Sequence, residues 1–95
     1  MTLQEFRSTL SNPNPPEGLS DLLKAMWYEG KNSWEMAHDI AQDIPTQDGS
    51  WIHAYLHRKE GDLGNASYWY RRAGRPTPNV SLEKEWNDIV NELLQ

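Results

Sequence analysis

Two histidines four residues apart, in His53-Ala54-Tyr55-Leu56-His57-Arg58-Lys59-Glu60, have the spacing in this chain best suited to chemistry. On a helix that spacing sets both imidazoles on one face, with Glu60 three positions further along the same line. Imidazole serves as a general acid or base near neutral pH and as a ligand for zinc-class metals. Such a pair normally needs a third protein ligand to hold Zn²⁺. His38 or Asp39, from the preceding helix, is the candidate for it. There is no His-Glu-x-x-His and no second carboxylate at ligand spacing. With no third ligand of convincing spacing, the expectation is that no metal or other cofactor is required. A small metal- or histidine-dependent enzyme using His53, His57 and His38 stands as the alternative.

The second constellation is aromatic and cationic: Tyr68-Trp69-Tyr70-Arg71-Arg72, with Arg58 and Arg75. Arg grips a carboxylate or phosphate bidentately, and Trp or Tyr beside it supplies a flat apolar floor. The formal charge of −5 is unevenly spread. Residues 51–80 carry five basic and two acidic groups, while residues 1–50 carry three basic and eight acidic. One locally cationic stretch therefore sits inside an acidic protein. Trp51, Tyr55, Arg58, Tyr68, Trp69 and Arg72 form the candidate binding face, and an acidic protein or peptide segment is the expected partner. The bland reading is that Glu83, Glu85 or Glu92 neutralises these arginines internally. Glu83 and Glu85 themselves read as a solvated face.

Composition narrows the field further. The 95 residues suit one domain and are too few for two cores. There is no Cys, so disulfides, thiolate metal sites and a cysteine nucleophile are excluded. The acidic balance argues against nucleic-acid binding. The chain has no Gly-x-Ser-x-Gly, no phosphate-binding glycine loop and no dinucleotide fingerprint. No apolar run approaches the ~20 residues of a membrane span, and the N-terminal stretch is polar, so a cytoplasmic location is expected by elimination.

The elements that must position these residues read as an all-α fold without strands. A short helix over Leu3–Leu10 ends at a segment with three prolines, Pro13, Pro15 and Pro16. Helices follow over about 19–29 and 33–44, the first closed by Gly30 and the second capped by Ser33 and stopped by Pro45. A fourth helix runs from about Asp48 to Glu60, and a fifth from Asp62 to Gly74 with Leu63, Ala66, Tyr70 and Ala73 as its stripe. The last, capped by Ser81, shows Leu82, Trp86, Ile89, Val90 and Leu93 on one face. Short loops make antiparallel hairpins of 19–44 and 48–74, with the helix of 81–94 as a C-terminal cap.

A shift of 29 residues lays Ala25 on Ala54 and Ala37 on Ala66, small residues suited to a close helix crossing. The stretch from Glu60 to Gly74 resembles the second half of a tetratricopeptide or Sel1-like repeat. Its Gly61-Asp62 turn is followed by Leu63, Ala66, Tyr70 and Ala73 at the pattern's positions, with Pro78 where the closing proline falls. The resemblance covers about 30 residues well and the 21–44 copy poorly. It implies a degenerate two-hairpin relative, of a small bacterial family, acting as a non-enzymatic protein-interaction module. Self-association into a homodimer through apolar end faces is a third reading. Periodicity places Trp51, Ile52, Tyr55 and Leu56 inside and the two histidines outside, whereas the repeat register puts Ala54 and His57 in the hairpin interface. The expected compromise has Ala54 at the edge of the stripe and His57 half-buried.

Overall fold

The computed structural model describes residues 1–95 as six α-helices with no strands. They are α1 (Leu3–Ser8), α2 (Asp21–Gly30), α3 (Trp34–Ala41), α4 (Gln47–Glu60), α5 (Leu63–Ala73) and α6 (Leu82–Leu93), with a 3-10 turn at Thr9–Ser11. Helix α2 pairs with α3 and α4 with α5 as two hairpins, and α6 packs against α4 and α2. No helix is long and apolar enough to cross a membrane.

The helix starts follow local chemistry. Thr2, Ser20, Thr46, Asp62 and Ser81 each accept a backbone N–H of the first turn through the side chain, which satisfies a donor that the helix cannot. Ser33 makes no such bond, although α3 begins beside it. At the other ends, Gly61 (φ 88°) and Gly74 (φ 70°) take the left-handed conformation that stops α4 and α5. Gly30 does not close α2 as expected. It is the last residue of the helix, and the left-handed position falls on Asn32 (φ 63°). What requires glycine at 30 is space, since a Cβ there would lie 2.9 Å from a Leu10 methyl and 3.1 Å from the Trp86 ring. Helix α3 stops at Ala41, earlier than Pro45 requires.

Helix α4 is the axis of the molecule. Every residue from Gly49 to His57 is buried, because α2, α3, α5 and α6 surround it. A helix covered on all sides has no polar face, so the choice between periodicity and repeat register dissolves. Trp51, Ile52, Tyr55 and Leu56 are inside, and so are His53, Ala54 and His57. The four alanines paired by the 29-residue shift, Ala25, Ala37, Ala54 and Ala66, are all buried. Small side chains at these positions let the hairpin helices approach closely. Leu63 departs from its expected core position and is 65% exposed at the start of α5.

Candidate metal centre

Burial on the α3 and α5 sides of α4 turns three histidines into one cluster. His53 and His57 project from α4, one turn apart, with ring centroids 4.8 Å apart. His38 arrives from α3, its centroid 4.6 Å from His53 and 5.5 Å from His57. The Nε2 atoms of His38 and His53 lie 2.9 Å apart and share one proton. One ring nitrogen from each of the three histidines lies within 4.8 Å of the others. Nitrogens at Zn–N bond lengths of about 2.0–2.1 Å on a tetrahedron are separated by about 3.3 Å, so the set needs only side-chain adjustment to close on an ion.

The surrounding side chains hold the rings in place. Trp34, one turn before His38, stacks on it with centroids 4.8 Å apart and donates its indole N–H to the Leu56 carbonyl at 2.8 Å, pinning α3 to α4. Trp69 of α5 stacks on His53 at 4.0 Å. Glu60 meets Nδ1 of His57 at 2.6 Å, which leaves Nε2 as the nitrogen free to ligate. A carboxylate on the far nitrogen orients a ligating histidine and raises its basicity. Asp62 lies near the same edge but is committed to capping α5 through Asn65. Burial, then the neighbouring His38 and His57, pushes His53 down to about 4. The ring is thus a neutral lone-pair donor at physiological pH.

The expectation that no metal is required rested on a missing third ligand. His38 removes that premise, and the supporting Trp34 stack is the part that sequence reasoning missed. Its only signal was the four-residue spacing from Trp34 to His38 on one helix.

The candidate binding face does not stay together. Trp51 and Tyr55 are core residues, buried at 6% and 3% exposure, because they face α6 and α2 rather than solvent. Arg75 stacks over the Trp51 ring at 3.4 Å. Arg58 is spent on an ion pair with Glu85 at 2.8 Å and on the Val80 carbonyl. Arg75 pairs with Glu92. Glu85 is therefore not part of a solvated face. It is buried, accepting the Tyr70 hydroxyl at 2.7 and 2.8 Å and the Trp51 indole N–H at 3.2 Å. What remains outside is Tyr68 and Arg72, beside Trp69, which is half-buried against His53. The Arg72 guanidinium lies 5.1 Å from the Trp69 ring centroid and 5.9 Å from that of Tyr68.

No protein-family model, curated protein or solved structure matches this chain.

Proposed function

We propose that this domain binds a divalent transition metal of the zinc class through His38, His53 and His57. The observation that carries the reading is the convergence of three ring nitrogens from two hairpins, walled by Trp34 and Trp69 and backed by Glu60 on His57. Three imidazoles without a thiolate suit Zn²⁺, Ni²⁺ or Cu²⁺ rather than Ca²⁺ or Mg²⁺. Three protein ligands leave a fourth position for water or a ligand atom, the arrangement in which Zn²⁺ makes bound water an acid near neutral pH. The enzyme alternative thereby gains support, and Glu60 joins its residues.

Calorimetric titration of tag-free, metal-stripped protein with Zn²⁺ tests this directly. One ion per chain is expected, with binding lost in His38→Ala and His53→Ala. Glu60→Gln should weaken binding by about 10–100-fold, as removal of such an orienting partner does. Binding that survives either alanine substitution unchanged overturns the site.

A second reading, a protein-interaction module of tetratricopeptide-like ancestry, is favoured by an exposed part of the cationic stretch that no acidic residue neutralises. Tyr68 is 44% exposed and Arg72 has no acidic partner, although both are residue types frequent at binding hot spots. On this reading an acidic segment docks against Tyr68, Trp69 and Arg72, without Trp51, Tyr55 or Arg58. Arg72→Glu should then leave the unfolding free energy within about 0.5 kcal/mol of wild type. It should also abolish retention of a synthetic poly-glutamate peptide at low salt. Equal retention by variant and wild type removes this reading.

A further inference from the structure

Trp69 belongs to two arrangements at once. It stacks on His53 of the histidine cluster, with ring centroids 4.0 Å apart. It also carries the Arg72 guanidinium 5.1 Å from its ring centroid and meets the Tyr68 ring edge-on at 5.2 Å. Arg72 donates to the Tyr68 hydroxyl at 3.2 Å, which keeps the cation beside both rings. One half-buried indole thus links a metal-ligating cluster to an exposed cation through two ring contacts.

The electrostatic setting gives that link a consequence. The chain carries a formal charge of −5, which opposes the approach of an acidic segment. Arg58 and Arg75 are neutralised by Glu85 and Glu92, whereas Arg72 pairs with no acid. An ion held by the histidines adds two positive charges on the order of one Debye length from Arg72, about 10 Å at 0.1 M salt. The half-buried indole keeps water from one side of His53, so the field there is screened less than in bulk solvent. A mechanical contribution adds to it. Without an ion the Nε2 atoms of His38 and His53 share a proton at 2.9 Å. On a tetrahedral ion they stand about 3.3 Å apart, so His53 must shift against the indole stacked on it.

We infer that the histidine site regulates the neighbouring face: an ion held by His38, His53 and His57 strengthens capture of an acidic peptide segment by Tyr68, Trp69 and Arg72. The inference rests on both readings above, the metal site and the acidic partner, and adds the coupling between them. Arg72 supplies the grip on a carboxylate, and Tyr68 with Trp69 supplies the flat apolar floor. The ion supplies the field that offsets the acidic charge of the rest of the chain. A neutral or basic segment gains nothing from that field, which is why the partner is acidic. Coupling of this kind is reciprocal, so the peptide tightens the ion by the same factor.

The test measures the affinity of the full-length, tag-free chain for a fluorescein-labelled oligo-glutamate peptide, by anisotropy at low salt. Metal-stripped protein is compared with protein holding one equivalent of Zn²⁺. Zn²⁺ should tighten the peptide by about threefold or more, as two unit charges at that range allow, and the gain should shrink as salt rises. Mg²⁺ at the same concentration should give no gain, because it selects oxygen ligands over imidazole. His38→Ala should keep the metal-free affinity and lose the gain, and Arg72→Gln should lower the affinity itself. The ¹⁵N-labelled Trp69 indole resonance should shift on Zn²⁺ loading and again on adding peptide. Equal peptide affinity with and without bound Zn²⁺ overturns the coupling and leaves the metal site standing. A gain that persists in His38→Ala, or that Mg²⁺ reproduces, also overturns it, since the ion would then act on the peptide's own carboxylates. Where His38→Ala fails to fold, the Mg²⁺ comparison decides on the wild-type chain alone. Absence of Zn²⁺ uptake by calorimetry removes the metal reading and this inference together, and absence of peptide capture in both states removes the acidic face and this inference together.

Discussion

Glu85→Ala is expected to lower the unfolding free energy by about 3–5 kcal/mol, a large share of the roughly 5–10 kcal/mol that a domain of this size has in total. The carboxylate is 2% exposed and neutralises Arg58, whose side chain is largely buried. Removing it strands a guanidinium in the interior and leaves the Tyr70 hydroxyl and the Trp51 indole N–H without their acceptor. Breaking one half of a buried pair is far more damaging than never having built it, because the desolvated partner charge stays behind. Burial, and then the bond to Glu85, already drives the Tyr70 hydroxyl strongly upwards, so Tyr70 remains a donor throughout the accessible pH range. Urea denaturation measures the effect. Glu83→Ala, two residues away and exposed, serves as the reference and should stay within about 0.5 kcal/mol of wild type. A loss below about 1 kcal/mol for Glu85→Ala would show that Arg58 and Tyr70 find other acceptors.

The second large effect is acid lability of the metal-free protein. His53 is held neutral in the fold, at about 4, against an ordinary value of 6.5, chiefly by burial and then by His38 and His57. Between those values the unfolded chain binds a proton that the folded chain does not, so stability falls as pH falls. The contribution is fully present above pH 6.5 and is lost as pH drops through about 4. A shift of this size corresponds to at most about 3 kcal/mol. His53→Phe keeps an aromatic ring against Trp69 and removes the titration, so its unfolding free energy should be much flatter from pH 7 to 4. A wild-type curve as flat as that of the variant would mean that the ring charges freely in the fold. Zn²⁺ at a hundred times its dissociation constant should raise stability by about 2.7 kcal/mol at neutral pH. That gain should vanish over the same acid range, since imidazole must be neutral to ligate.

Both effects hinge on residues that read differently in one dimension. Glu85 sits three residues after Leu82 and four before Ile89, and therefore on the stripe of α6 that also carries Trp86. A carboxylate on an apolar stripe signals a buried ion pair, but its partner, Arg58, lies 27 residues away on α4. Glu29 is likewise in line with Leu22 and Met26 on α2. Position along a helix shows that such a residue faces inward. It does not show whether donors will meet both oxygens, as at Glu85, or only one, as at Glu29.

Local sequence determined the elements themselves: where helices begin, through Thr, Ser and Asp side chains that bond the first free N–H groups, and where α4 and α5 end, through glycines able to turn left-handed. These are interactions within four residues, and they do not depend on the rest of the chain. The four small residues of the 29-residue repeat likewise announced the hairpins, because close crossings exclude anything larger than alanine. What only the tertiary structure decided is which side of α4 is outside. A helix wrapped by four neighbours has no outside, so amphipathic periodicity carried no information about His53 and His57, and Arg58 and Arg75 were drawn to Glu85 and Glu92. The third histidine is the same case. Nothing in the spacing of His38 relates it to His53, fifteen residues on, until the crossing of α3 and α4 sets their Nε2 atoms 2.9 Å apart.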